Sequence, residues 1–214
     1  MIKSIDKTKC KKKISNKNIK EYIAKTVLPL KTNEQPLCIF NFGGPGSGKS
    51  TVSKIYIKNV LKQNINKFCI VNPDDVLYKY FNNDINCYNI NNNSPHDVIN
   101  ELFDIAVKNK YNILYDTTGL DIKDIKPKIN LLKKNNYTVN VCVCLIDISI
   151  ALKRVEKRTK LTGRNMANDY FYKRYNEVPK ILDHFYFNLL YKKIDEIIIY
   201  NTSGLKPKIE ERYN

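Results

Sequence analysis

The sequence has no tryptophan, two methionines, two histidines and only seven glycines. Its six cysteines, at 10, 38, 69, 87, 142 and 144, form no C-x-x-C pair. With so few histidines, that spacing argues against a structural zinc site. No apolar run is long enough for a signal peptide, and nothing approaches a membrane span. The expectation is a soluble protein in a reducing, cytoplasmic compartment, with no membrane partner. Acidic residues are also scarce: 21 Asp+Glu face 37 Lys+Arg, for a formal charge of +16. Half of that surplus lies before Thr32, where ten lysines meet only Asp6 and Glu21. A solvated basic tail is the plainer reading of this segment, and a nucleic-acid partner is the alternative.

The few glycines are concentrated where they matter. Gly43, Gly44, Gly46 and Gly48 fall in Gly43-Gly44-Pro45-Gly46-Ser47-Gly48-Lys49-Ser50-Thr51. Gly43, Gly48, Lys49 and Ser50 satisfy G-x-x-x-x-G-K-[ST], the phosphate-binding P-loop. The apolar run Leu37-Cys38-Ile39-Phe40-Asn41-Phe42 precedes it and suits a buried strand. Val52, Ile55, Tyr56, Val60 and Leu61 follow at helical spacing. The motif therefore stands between a strand and a helix, the context it needs. Backbone N–H groups of Gly43 to Thr51 and the helix N-terminus would cradle phosphate. Lys49 would reach the β and γ phosphates of ATP or GTP, and the Ser50 hydroxyl would ligate Mg²⁺.

Length and a hydrophobic content of 43% suit one domain with a small appendage. Residues 1–15 read as disordered or marginally structured, and 16–28 as a helix docking through Ile19, Tyr22, Ile23 and Val27. Further strands are expected at Phe68–Val71, Asn112–Tyr115, Val139–Ile146 and Ile194–Tyr200, with a polar tail after Asn201. Between them lie helices at 74–82, from Ser94-Pro95, and around 121–134, with a kink or late start at Pro127. Another runs over 148–160, and a long one over about 167–191 with a break near Pro179. Cys38, Cys69, Cys142 and Cys144 fall in these strands, where a thiol serves as a small apolar group. Five strands alternating with helices predict an α/β fold with a mostly parallel sheet. Ligands then bind beyond the carboxyl ends of the strands.

That rule selects the residues to test. Asp74 and Asp75 follow the second strand, Asp116, Thr117 and Thr118 the third, and Asp147 and Ser149 the fourth. Any one of these can be an ordinary helix cap. Asp74 and Asp116 together, beside a P-loop, suit a carboxylate that takes a hydroxyl proton and another that holds a metal shell or substrate. After the fourth strand, Arg154 and Arg158 share one helical face and Arg164 follows Gly163. Clustered arginines there suit a lid over a triphosphate.

In order, Gly43–Ser50, Asn72-Pro73-Asp74-Asp75, Tyr115-Asp116-Thr117-Thr118-Gly119 and Arg158 with Thr162-Gly163-Arg164 resemble the zeta-toxin-type P-loop kinases. They are similar, less closely, to polynucleotide 5′-hydroxyl kinases. The resemblance runs from about residue 37 to 183. It implies a five-stranded parallel sheet in the order 2-3-1-4-5, flanked by helices, with a helical lid at about 153–168. A basic extension, 1–35, would precede the kinase domain, 36–214. The resemblance further implies that Asp74 is the catalytic base and that Arg158 and Arg164 clamp the phosphates. Asp116, with Thr118, would contact substrate or the metal shell. Zeta toxins phosphorylate a UDP-N-acetylamino sugar. The chain departs from the pattern with Leu77 and Leu120 at positions that are often basic, and with Asp116 where Glu is usual. The two leucines imply lost basic groups near the acceptor.

The expected function is thus transfer of the γ-phosphoryl group of ATP or GTP to a small-molecule hydroxyl. Catalysis would fall to Asp74, Lys49, Arg158 and Arg164, with Asp75, Asp116 and Thr118 at the substrate and Ser50 and Asp116 at Mg²⁺. The rivals are a polynucleotide or nucleoside kinase, and a non-catalytic nucleotide-binding module.

Overall fold

The apolar runs form one sheet. In the computed structural model, which describes residues 14–82, 87, 94–119, 121–162, 166, 168–176 and 193–213, its strands are β1 (Leu37–Phe42), β2 (Phe68–Val71), β3 (Asn112–Asp116), β4 (Thr138–Leu145), β5 (Glu196–Asn201) and β6 (Lys208–Tyr213). Their order is β2-β3-β1-β4-β5-β6. The first five are parallel, as expected, and keep the expected order. The sheet has six strands rather than five, because the chain turns back after β5 and adds β6 antiparallel to it. Residues of β6 are exposed along almost its whole length. Main-chain pairing and a few polar side-chain contacts recruit it, so its sequence carries no apolar alternation to read.

The parallel strands are covered on both faces, which is why they read as continuous apolar runs. All six residues of β1 are buried. Cys38, Phe40 and Phe42 face one layer, made by α1 (Asn16–Val27), α3 (Pro73–Phe81), α4 (Pro95–Lys108) and α5 (Ile122–Lys134). Leu37 and Ile39 face the other, where Val52 of α2 (Lys49–Ile55) and Tyr56 and Ile57 of the π-helical turn that continues it lie. Val155 of α6 (Ile148–Thr162) and the helical residues 168–176 form a smaller cluster with Phe171 and Tyr175.

Local chemistry explains the helix starts. Ser94 caps α4, and Asp97 returns the bond to the Ser94 N–H, closing a capping box with Pro95 at the first position. Asn72 caps α3 by accepting from the Asp74 N–H at 2.9 Å. Asp121 caps α5, which runs on through Pro127 to Lys134 without a break. Pro127 lies inside the helix and removes one N–H from its ladder without ending it. Ser15 caps α1 and Ile14 is buried, so these two residues, expected to be marginally structured, are part of the fold. Pro179 and most of the expected 167–191 helix lie outside the described residues, as do 1–13 and Leu120.

Cys38, Cys69, Cys142 and Cys144 are buried free thiols, as expected. Burial pushes the Cys69 thiol up to about 12. Cys87 is disulfide-bonded. No described helix is long and apolar enough to cross a membrane.

A polar knot lies under the far end of the P-loop helix. Tyr56 donates its hydroxyl hydrogen to Glu196. Asn140 donates to Tyr56 Oη at 2.6 Å and to Glu196 Oε2 at 3.1 Å. Arg212 of β6 donates through Nε to the other Glu196 oxygen at 2.6 Å. The knot joins the end of α2 to β4, β5 and β6.

Candidate functional site

Parallel strands deliver their following residues to one edge of the sheet, and the P-loop lies there after β1. Gly46 and Gly48 have φ of +77° and +83°, a conformation in which a Cβ is strained. A Cβ at Gly46 would also sit 2.5 Å from the Ala151 carbonyl oxygen. The loop leads into α2, whose N-cap is Gly48 without a side-chain bond.

A cavity of about 450 Å³ opens on the N-terminus of α2, lined by residues 46–51. Asp74 and Asp75 close one side of it, and Arg154 and Arg158 of α6 another. A second cavity of about 410 Å³ adjoins it, lined by Thr117, Thr118, His96, Asn100, Tyr170 and Arg174, with Asp121 and Asp124 at the start of α5. Lys49, Asn72, Asp74 and Asp116 line both cavities and form the wall between them.

Lys49 donates to the carbonyl oxygens of Gly43 at 2.9 Å and Gly44 at 3.3 Å, and its ammonium lies 4.0 Å from Asp116. The loop backbone thus holds the cation at the wall. Gly43 and Gly44 line neither cavity; they are buried and serve as the lysine's rest. Asn41 fixes β1 to the helix by donating to Ser53 at 2.6 Å, while Ser53 donates to the Lys49 carbonyl at 3.0 Å.

Most expected residues converge. Gly46, Ser47, Gly48, Lys49, Ser50, Thr51, Asp74, Asp75, Asp116 and Arg158 line the first cavity. Asp75, expected at the substrate, faces the phosphate side alone. Thr118 lines the second cavity. Arg164 lies outside the described residues. Leu77, expected near the acceptor, is buried in the core and faces neither cavity. Asp147 and Ser149, at the same sheet edge, line neither cavity: Asp147 is exposed and accepts from the Ser149 and Ile150 N–H groups at the start of α6.

Several lining residues carry little or no signal in the sequence. Asn72 belongs to one of the motifs, yet nothing in the motif places it in the shared wall. Arg154 shares a helical face with Arg158, and it reaches the cavity while donating to the Thr202 carbonyl at 2.8 Å. His96 and Arg174 come to the second cavity from α4 and from residues 168–176, and no short motif signals either. Burial lowers the His96 imidazole below its usual value, Asp124, Asp97 and Asp74 oppose that, and Lys128 adds to it. Arg174 lies over the Tyr170 ring, 4.7 Å from its centroid.

The donors around the first cavity that could meet a metal are oxygens: the Ser50 hydroxyl and the carboxylates of Asp74, Asp75 and Asp116. Hard oxygens suit Mg²⁺, which is held by one or two protein groups plus phosphates. Among the described residues, no group of three His, Cys, Asp or Glu is placed to hold a metal ion by itself.

A family model described as zeta toxin matches residues 20–206, most of the chain. The chain belongs to the zeta-toxin family. Solved structures superpose on nearly all of it. A chain of the PezAT chromosomal toxin-antitoxin system of Streptococcus pneumoniae has a TM-score of 0.67 at 15% identity, over 94% of this chain and 82% of that one. A chain of the AvrRxo1-ORF1:ORF2 complex solved with ATP gives 0.60 at 16%, over 83% and 58%. A chain of the Pnkp1/Rnl/Hen1 RNA repair complex gives 0.55 at 17%, over 84% and 50%. At these identities the likeness carries the fold, an α/β P-loop kinase sheet. No curated protein matches the sequence.

Proposed function

We propose that this zeta-toxin-family protein is a kinase that moves the γ-phosphoryl group of ATP or GTP onto a hydroxyl of a small molecule. One observation carries the reading: two adjoining cavities share a wall of Lys49, Asn72, Asp74 and Asp116. One cavity has the anion cradle. The other is lined by hydroxyl, amide, imidazole and guanidinium groups, which suit a polar acceptor. The family match, and the similar AvrRxo1-ORF1:ORF2 structure solved with ATP, support the donor side.

In this reading the triphosphate lies along residues 46–51 with its γ-phosphorus at the wall. Asp74 accepts the proton of the acceptor hydroxyl. The acceptor oxygen bonds to the γ-phosphorus as the bond to the bridging oxygen breaks, and the nucleoside diphosphate leaves. Lys49, Arg154 and Arg158 balance charge on the transferring oxygens, and Arg164 joins them. Asp116 and Ser50 would hold Mg²⁺, which when bound would neutralise charge on the phosphates. Thr118 and Asp116 orient the acceptor. A nucleotide sugar is the acceptor that the family suggests.

A nucleotide-consumption screen against sugar nucleotides, nucleosides and 5′-hydroxyl oligonucleotides tests this, with Asp74→Asn as the blank. One class should raise diphosphate release in the native protein and not in the blank. If no acceptor raises release and calorimetry detects no magnesium-dependent uptake of ATP or GTP, the kinase reading fails.

A further inference from the structure

The P-loop motif specifies glycines and a lysine. It does not specify what holds the loop's peptide planes. Two side chains outside the motif do so here.

Tyr175 donates its hydroxyl hydrogen to the Pro45 carbonyl oxygen at 2.7 Å. Its ring lies so close to Gly44 that a Cβ there would sit 2.6 Å away. Thr202, just after β5, places its hydroxyl 2.7 Å from the Ser47 carbonyl oxygen. It shares that hydrogen with Leu145 O, which is farther at 3.0 Å. Both side chains are buried, and neither lines either cavity.

A trans peptide points its C=O and the next N–H in opposite directions, and no cis peptide occurs among the described residues. A Pro45 carbonyl turned to Tyr175 therefore turns the Gly46 N–H away from Tyr175. A Ser47 carbonyl turned to Thr202 does the same for the Gly48 N–H. Among the described residues these two N–H groups donate to no partner. Both glycines line the phosphate-side cavity. Unpaired donors in that setting are matched by an anion.

We propose that Tyr175 and Thr202 are positioning residues of the phosphate cradle, holding two alternate carbonyls outward so that the Gly46 and Gly48 amides face the anion. This rests on the nucleotide reading above and adds its geometric cause. Tyr175 suits this role because burial raises its hydroxyl well above the usual range, so it stays protonated and donates at every working pH. Its neighbour Arg174 lines the second cavity, so one short helix supports the cradle and borders the acceptor side. Thr202 plays the matching part from the sheet. Its own carbonyl accepts from Arg154, so the strand end holds both the loop and an arginine of the cavity.

The test uses the full-length protein and two probes, MgATP and inorganic tripolyphosphate, with calorimetric Kd and thermal midpoints. Tyr175→Phe keeps the ring and removes the hydroxyl. Thr202→Val removes the other hydroxyl, and Thr202→Ser restores it. Phe171→Leu loosens the cluster in which Tyr175 packs but leaves both hydroxyls in place. Tyr175→Phe and Thr202→Val should each weaken both probes by about five- to tenfold, the worth of one hydrogen bond. Thr202→Ser should bind like the native protein. Phe171→Leu should lower the thermal midpoint and leave both Kd values within about twofold, because a packing loss does not turn a peptide plane. If the native protein binds neither probe, the nucleotide reading fails. If it binds both, and Tyr175→Phe and Thr202→Val keep native Kd values, the positioning proposal fails alone. It fails as well if Phe171→Leu weakens binding as much as Tyr175→Phe does.

Discussion

The Lys49 ammonium stands 4.0 Å from the Asp116 carboxylate, in the wall that two cavities share. The same ammonium rests on the Gly43 carbonyl at 2.9 Å. A phosphate entering the cradle offers this cation a full negative charge in place of neutral carbonyls. Lys49→Met keeps the stem and removes that attraction. We expect MgATP affinity to fall by about a hundredfold, with the fold intact. Calorimetry beside a circular dichroism melt checks both parts.

Asp74 is assigned the proton transfer and no direct part in holding the triphosphate. Asp74→Asn should therefore lower kcat by about 10²- to 10⁴-fold and leave the Kd for MgATP within about threefold. A variant that keeps full turnover would remove Asp74 from the chemistry. The readout is phosphoryl transfer to whichever acceptor the screen identifies.

His96 gives a pH signature. Burial holds its imidazole below the unfolded-chain value of 6.5, and the lining and neighbouring charges are Asp124, Lys128, Asp97 and Asp74. The unfolded chain takes up a proton near 6.5 that the folded chain resists. Stability is therefore retained above that value and lost as the pH falls from it through the lower folded-state value. The thermal midpoint of the native protein should drop between about pH 7 and 5. In His96→Gln the drop should be shallower. Equal slopes in the two proteins would show that His96 does not set the acid sensitivity.

Arg212 and Glu196 form the ion pair that completes the knot beneath α2. Glu196 is nearly buried, whereas Arg212 is about half exposed. Arg212→Met leaves a carboxylate in a dry site with only Tyr56 and Asn140 beside it. We expect a loss of about 1–3 kcal/mol by denaturant unfolding, discounted from a fully buried pair because Arg212 reaches solvent. Adding Glu196→Gln should recover part of it, since no charge is then left behind.

The sheet order and the cradle are legible in the sequence because each rests on short stretches of chain. The run Leu37–Phe42 before Gly43, apolar except for Asn41, reads as a buried strand in this context. Asn72 and Ser94 announce their helices within three residues. Contacts between distant segments leave no such mark. Tyr175 and Pro45 are separated by 130 positions, and Thr202 and Ser47 by 155. Neither tyrosine nor threonine departs from ordinary core composition, so nothing local singles them out. Leu77 misleads in the opposite direction, because it sits at a position often basic in the family and suggests a place near the acceptor. Successive residues of a helix point in different directions, and Leu77 turns to the core while Asp74, Asp75 and Tyr78 line the cavity. Asp147 shows the same limit: a strand-end carboxylate is also what a helix cap looks like in sequence.

β6 has a consequence for the state of the protein in concentrated solution. β5 carries Ile197, Ile198 and Ile199 in succession, and without β6 its outer edge would offer bare main-chain donors and acceptors beside them. Lys-Ile-Glu-Glu-Arg-Tyr occupies that edge and replaces it with a border of exposed charged side chains, which would lose water if another strand paired there. A version shortened to end at Lys206 should keep its cradle residues, Thr202 included, yet clump through strand-to-strand stacking, which light scattering would register.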